Sequence, residues 1–230
     1  MQHIEFYFDP SCPWCWVTSR WLTEVSQHRD ISIEWLPFSL AIKNGELDGE
    51  DVTGHLDTHT IAHRVLRMIE AIHAEEGIDR GQLYSAFGRA YFIDKTLNDD
   101  NFMPVVLQQL GLDPDYINQA DNIEHDTALT QHMDTAIEIV GDDVGVPLVI
   151  FVNEKGEKQG YFGPVLQGLP DTQDGLDLWD GLSSLGSSSN FFELKRARTD
   201  RSKVKSTLRL FEDAASVTPD RRRLTTNRTE

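Results

Sequence analysis

Two cysteines three residues apart, where an apolar run gives way to a helical pattern, constrain this chain more than any other feature. Residues Ile4 to Leu22 read IEFYFDPSCPWCWVTSRWL. The apolar run of Ile4, Phe6, Tyr7 and Phe8 ends at Asp9-Pro10-Ser11, and Cys12-Pro13-Trp14-Cys15 follows. Pro13 suits a first helical turn, because its missing N–H would have had no partner there and its φ is already helical. The spacing therefore predicts Cys12 at a helix N-terminus and Cys15 one turn inside, with both sulfurs on one face. The free N–H groups and partial positive charge of a helix start stabilise a thiolate, which is the nucleophilic form of cysteine. No other cysteine occurs in the 230 residues. A structural disulfide across so short a loop would gain little entropy. A tetrahedral zinc site would call for a second ligand pair. A redox-active dithiol needs only these two residues on a strand-to-helix turn.

The longer string FDP-x-CPWCW-x-TSRW, with Trp16 and Trp21 as well as Trp14, carries a resemblance. It resembles the active-site segment of the DsbA-like branch of the thioredoxin superfamily, and within that branch it is most similar to the actinobacterial mycothiol-dependent nitroreductases. CPWC by itself is shared with FrnE-type dithiol oxidoreductases and disulfide isomerases. The resemblance runs roughly from Met1 to Leu185. It implies an α/β, thioredoxin-like (DsbA-type) fold with a helical domain inserted between β2 and β3. It implies Cys12 and Cys15 as the catalytic pair, with Pro13, Trp14, Asn44, Val146 and Pro147 around the substrate. Mycothiol, a low-molecular-weight thiol, would be the reductant, and a disulfide or a nitroaromatic the acceptor. No bound cofactor and no metal are implied, and homodimer formation is left open. Kappa-class transferases and chromene-carboxylate isomerases resemble this architecture but generally lack the second cysteine, so Cys15 separates those readings. A non-enzymatic holdase or metal-binding protein is the rival of another class.

The order of patterns fits that fold. Ile4 to Phe8 reads as a strand, Pro13 to His28 as a helix with Val17, Trp21, Leu22 and Val25 on its buried stripe, and Ile31 to Leu36 as an alternating strand before Pro37. Strand, helix and strand in so few residues make a βαβ opening. Phe38 to Glu50, which holds Asn44, reads as a loop. From Val52 to Val140 apolar residues recur at steps of three and four, which predicts four or five helices. Asn98-Asp99-Asp100 supplies one of the breaks between them. Val146-Pro147 opens the strand Leu148 to Val152; the resemblance implies a cis proline facing the dithiol. Asn153 to Glu157 reads as a hairpin turn, Asp171 to Leu185 as a last helix and Gly186 to Ser189 as a linker. The expected division is 1–50 with 141–186 as the thioredoxin-like core, 51–140 as the inserted domain, and 187–230 as linker and mobile basic tail.

Charge and composition narrow the setting. The formal net charge is −17, although Lys195 to Glu230 carries 11 basic and 5 acidic residues. So acidic a body argues against nucleic acid or an anionic membrane as partner. No apolar run approaches the ~18 residues of a membrane span, and no leader pattern opens the chain. A cytoplasmic protein whose thiols cycle is the expectation. No nicotinamide or flavin fingerprint occurs, so electrons are expected from thiols.

Three other features bear on chemistry. His55, His59 and His63 stand four apart with Asp57 and His73 near, a stripe that reads as a partly solvated helix face rather than a metal site. Trp16 is expected in the core and Arg20 on the surface. Trp14, a large ring at an exposed turn, suits stacking against an aromatic or apolar acceptor.

Overall fold

The structure is a computed structural model and describes residues 1–48, 56–94 and 102–212. Strand β1 (Gln2–Phe8) leads into helix α1 (Pro13–Val25) and then into β2 (Ile31–Pro37). The two strands pair in parallel from Gln2↔Ile31 to Phe8↔Pro37, the return that a crossover helix permits. Helices α2 (Leu40–Lys43), α3 (Leu56–Glu76), α4 (Arg80–Arg89), α5 (Phe102–Leu110) and α6 (Asp126–Val140) follow before the chain re-enters the sheet. A π-helical turn, Ala90–Asp94, continues α4, and 3-10 turns at Glu46–Asp48, Pro114–Asp121 and Ile123–His125 join the others. β3 (Leu148–Val152) and β4 (Lys158–Phe162) then form a hairpin, and α7 (Thr172–Gly186) closes the fold. The sheet order is β2-β1-β3-β4, with β3 antiparallel to both neighbours. This is the thioredoxin-like, DsbA-type arrangement, with the helical insertion between β2 and β3.

The sheet is covered on both faces, so β1 is apolar almost throughout and buried from Ile4 onward. Phe6 and Phe8 point to one face, where they meet Trp35 edge-on at 5.2 and 6.4 Å between ring centres. Phe8 also lies 4.1 Å from Tyr84 of α4, and Phe151 lies 6.1 Å from Trp179 of α7. α6 covers the opposite face so closely that a Cβ at Gly160 would lie 2.5 Å from Val140.

Three sequence expectations change. The Phe38 to Glu50 segment is not all loop: Ser39 caps α2 by accepting a hydrogen bond from the Ile42 N–H at 3.2 Å. Gly186 does not start a linker but ends α7, packed where a Cβ would stand 2.2 Å from Phe151. The stretch after it is not free tail as far as residue 212. A 3-10 turn (Val204–Leu208) and α8 (Arg209–Glu212) dock on α1. Trp16 is fully buried, and its Nε1–H donates to Thr207 Oγ1 at 3.1 Å. Phe211 lies parallel to the same indole at 6.3 Å, and Arg209 pairs with Glu24 at 2.9 Å. The physical reason is local. A buried indole requires an acceptor for its one N–H, and the C-terminal segment brings one. The breaks expected at Asn98-Asp99-Asp100 and the mobile end expected over Thr218 to Glu230 lie outside the described residues.

Gly88 shows how tightly Trp16 is held from the other side. A Cβ there would stand 2.4 Å from the indole, so only glycine lets α4 approach α1 this closely. Thr207→Val keeps the shape but leaves the indole N–H without its acceptor. It should lower stability by about 1–3 kcal/mol, whereas Thr207→Ser should stay near wild type. Urea unfolding of the three proteins checks this, and equal midpoints for Val and wild type would show that the bond contributes nothing.

Candidate active site

The site begins at the last residue of β1. Asp9, wholly buried, follows Phe8 and turns the chain toward α1. One of its carboxylate oxygens accepts from the Ser11 N–H at 2.8 Å and from the Ser11 hydroxyl. The other accepts from the Leu40 N–H at 2.7 Å, the entry to α2. Burial pushes the Asp9 carboxyl above its ordinary range, and the donors at Leu40 and Ser11, with His59 nearby, oppose that rise. Backbone donation from Cys12 N–H to the Asp9 carbonyl at 3.1 Å completes the turn.

Cys12 is the N-cap of α1, with extended backbone (φ −78°, ψ 112°) and Pro13 in the first turn. Its sulfur accepts from the Cys15 N–H at 3.4 Å and reaches the Val146 carbonyl at 3.7 Å. It is 7% exposed, whereas Cys15 is fully buried. The two thiols are unbonded to one another. Hydrogen bonding from the Cys15 thiol, aided by the N–H groups of Cys15 and Trp14, holds the Cys12 thiol below its ordinary range against burial and Asp9. Cys15 moves the other way, well up, because it is buried and faces Cys12. The arrangement therefore sets apart one slightly exposed sulfur with a lowered pKa from one fully enclosed sulfur with a raised pKa. Asp9 acts electrostatically on both, and its backbone N–H is aimed at Cys15.

The residues expected around the pair do not all gather there. Val146 and Pro147, joined by a cis peptide bond, stand across from Cys12. Pro13 and Trp14 are half-buried on the rim. Asn44 is placed one layer out, as the C-cap of α2, with its Nδ2–H donating to Glu46 at 3.3 Å and lying 3.5 Å from His59.

The histidine stripe is not a solvated face. His59 is buried, with Nδ1 2.6 Å from Glu46. His63 is buried between Ser39 Oγ at 2.9 Å and the Asp126 carboxylate at 3.0 Å. Burial pushes its pKa down to about 4. His73 turns to the Ile78 carbonyl at 2.8 Å, and His55 lies outside the described residues. Among the described residues the metal-spaced gathering of such side chains is His3, Glu5 and Glu34, on β1 and β2 away from the cysteines.

Arg20 corrects another expectation, since it is buried rather than superficial. Its guanidinium lies 4.6 Å from the Trp16 ring centre, its Nε–H donates to Ser19 at 3.2 Å, and its Nη2 has no partner. Burial pushes its pKa down to about 10. Tyr84, on the α4 side of the same cluster, is also fully buried and feels both cysteines. Asp9 and Tyr84 were missed in the sequence. The signal for Asp9 is an acid that closes an apolar strand three residues before a thiol; Tyr84 had none beyond its place on a helical stripe.

Fold and site together define a thiol oxidoreductase of the DsbA-like kind. The chain belongs to the Rv2466c-like mycothiol-dependent nitroreductase family, whose family model matches residues 11–196. A curated relative, the uncharacterized protein Rv2286c of Mycobacterium tuberculosis, is 25% identical over 205 residues, 86% of this chain and 84% of that one. Among solved structures, the fold is similar to the cytosolic disulfide reductase DsbM from Pseudomonas aeruginosa, with TM-score 0.52 and 13% identity over 80% of this chain and 99% of that one. It is likewise similar to the probable DsbA oxidoreductase SCO1869 from Streptomyces coelicolor, with TM-score 0.52 and 16% identity over 86% and 95%. No helix among the described residues is long and apolar enough to cross a membrane.

The asymmetry of the two thiols is directly testable. Cys12 should be alkylated by iodoacetamide at a pH well below the ordinary thiol value of about 8.5, while Cys15 stays unmodified in the folded protein. Peptide mapping after a pH series gives the answer, and first reaction at Cys15 would reverse the assignment.

Proposed function

We propose that this protein uses the CPWC dithiol to carry two electrons from mycothiol to a disulfide or nitroaromatic acceptor. The observation that supports this best is the split between the two sulfurs: Cys12 at a helix start with a lowered pKa, Cys15 buried with a raised one. The reductant and the nitroaromatic acceptor come from the family's name rather than from the geometry.

With a disulfide acceptor the Cys12 thiolate attacks one sulfur, the S–S bond breaks and a thiolate leaves. Cys15 then gives up its proton and attacks the Cys12 sulfur. That step forms the Cys12–Cys15 disulfide and releases the second thiol. We assign the Cys15 proton to Asp9, because burial raises its proton affinity and its charge acts on both cysteines. Two mycothiol molecules reverse the sequence and leave as mycothiol disulfide. In this scheme Pro13, Trp14, Val146 and Pro147 shape the acceptor's seat. Asn44 acts from behind through Glu46 and His59.

Cys15→Ser should trap a mixed disulfide between Cys12 and mycothiol, because no resolving thiol remains. Mass spectrometry after incubation with mycothiol disulfide reads the adduct; an unmodified Cys12 would count against a small-thiol partner. Asp9→Asn has two expected effects. The resolving step should slow by about 100-fold at neutral pH and recover as pH rises. Cys12 alkylation should shift to lower pH, because the negative charge that opposes its ionisation is gone. Stopped-flow release of the second thiol measures the first effect, and an unchanged rate would remove Asp9 from the proton path.

A further inference from the structure

The chain beyond α7 passes Trp14, one of the two residues between the cysteines, and sets a cation over its ring. Arg198 places its guanidinium 5.4 Å from the ring centre of Trp14 and 5.7 Å from that of Phe162. Both distances fall within cation–π range. Phe162 ends β4 opposite Leu148, next to Pro147, and is 41% exposed. Two aromatic rings thus flank the approach to Cys12, one from α1 and one from the strand beside the cis proline, with a cation over both.

Arg198 is not there by a chance swing of a loose tail, because the segment is held at both ends. On one side the Tyr161 hydroxyl donates to the Phe191 carbonyl at 3.1 Å, and the two rings lie 5.7 Å apart. On the other, Lys203 N–H donates to the Gln167 carbonyl at 2.5 Å, and Leu169 N–H donates to Ser206 Oγ at 2.7 Å. Beyond that comes the docking of Thr207 and Phe211 on Trp16. Among the described residues no carboxylate lies within ion-pair distance of Arg198, whereas Lys203, in the same segment, has Asp200 at 3.8 Å. In a protein of net charge −17, a cation over Trp14 that has no carboxylate partner among the described residues has one evident electrostatic use. It offsets the repulsion that the body and the Cys12 thiolate exert on an anionic acceptor. A guanidinium stacked on rings keeps its N–H edge free, and that edge matches a carboxylate.

We propose that Arg198 is a specificity-determining residue of the dithiol site, making aromatic acceptors that carry a carboxylate its preferred oxidants. The inference rests on the reading of Cys12 and Cys15 as an acceptor-reducing pair and adds the acceptor's charge and shape. The family model ends at residue 196, so the segment bearing Arg198 lies past it. The ring of the acceptor stacks on Trp14 or Phe162, and its carboxylate meets the guanidinium. With an aryl disulfide the reaction balances as two thiols plus Ar–S–S–Ar giving the Cys12–Cys15 disulfide and two Ar–SH. Two electrons pass from the cysteine sulfurs to the acceptor sulfurs, and the two protons follow to the released thiols or solvent.

Two aryl disulfides of opposite charge character test this with the reduced full-length protein in single turnover. One is 5,5′-dithiobis(2-nitrobenzoate), a dianion; the other is 4,4′-dithiodipyridine, neutral at pH 8. In Arg198→Glu the ratio of the two second-order rate constants, dianion over neutral, should fall by about 10-fold or more. In Arg198→Lys it should fall less, and added salt, which screens the repulsion of the dianion, should raise the ratio more in Arg198→Glu than in wild type. An unchanged ratio in Arg198→Glu, whether both rates drop together or neither moves, would overturn the proposal. A wild-type dithiol that oxidises with neither reagent would instead overturn the dithiol reading, and this proposal with it.

Discussion

The site depends on a buried carboxylate that ties together two turns from different parts of the chain. Asp9, three residues before Cys12, accepts from Ser11 N–H and from Leu40 N–H, where the chain leaves β2 for α2. A carboxylate out of water is costly unless donors surround it. Here the donors are backbone groups whose positions the fold must hold, so satisfying Asp9 and shaping the β1–α1 turn are one requirement. Cys12 is an N-cap because that turn is closed. The acid that shapes the turn also acts electrostatically on both thiols.

A second layer holds the Leu40 side of that tie. Ser39 caps α2 while its hydroxyl meets His63, and Glu46 beyond it meets His59 and Asn44. α3 is therefore fastened to the loop after β2 by buried polar contacts rather than by apolar packing alone. Such contacts cost much when one partner is lost, since the other is left buried and unpaired. His63 is kept neutral by burial, with a pKa pushed down to about 4, so it serves here as a hydrogen-bonding group and not as a charge.

On the other side of α1 the dominant interaction is the enclosure of Trp16. Tyr84 and Phe92 from α4 and its π-helical continuation, Arg20 from α1 itself and Phe211 from α8 surround the one indole. Arg20 is the odd member: a buried cation with no carboxylate partner among the described residues, held by ring stacking and one bond to Ser19. On its way to that enclosure the chain returns past Trp14. Arg198 lies on that return path.

The amino-acid sequence by itself determined the place of the cysteine pair at a helix start and the βαβ opening, because these depend on neighbours. Pro13 sets the helix start, the spacing of Cys12 and Cys15 sets their faces, and alternation sets β1 and β2. The opposition of Pro147 to Cys12 came only through family resemblance, since nothing local joins residues so far apart. Tertiary structure alone decided the rest, for one reason: the deciding partners are remote in sequence. Arg20 reads as a surface charge until Trp16 and Tyr84 close over it. His59 and His63 read as a wet face until Glu46, Ser39 and Asp126 arrive. The basic stretch after α7 has the composition of a mobile tail. Only the unsatisfied N–H of a buried Trp16, 191 residues from Thr207, makes part of it a structural element.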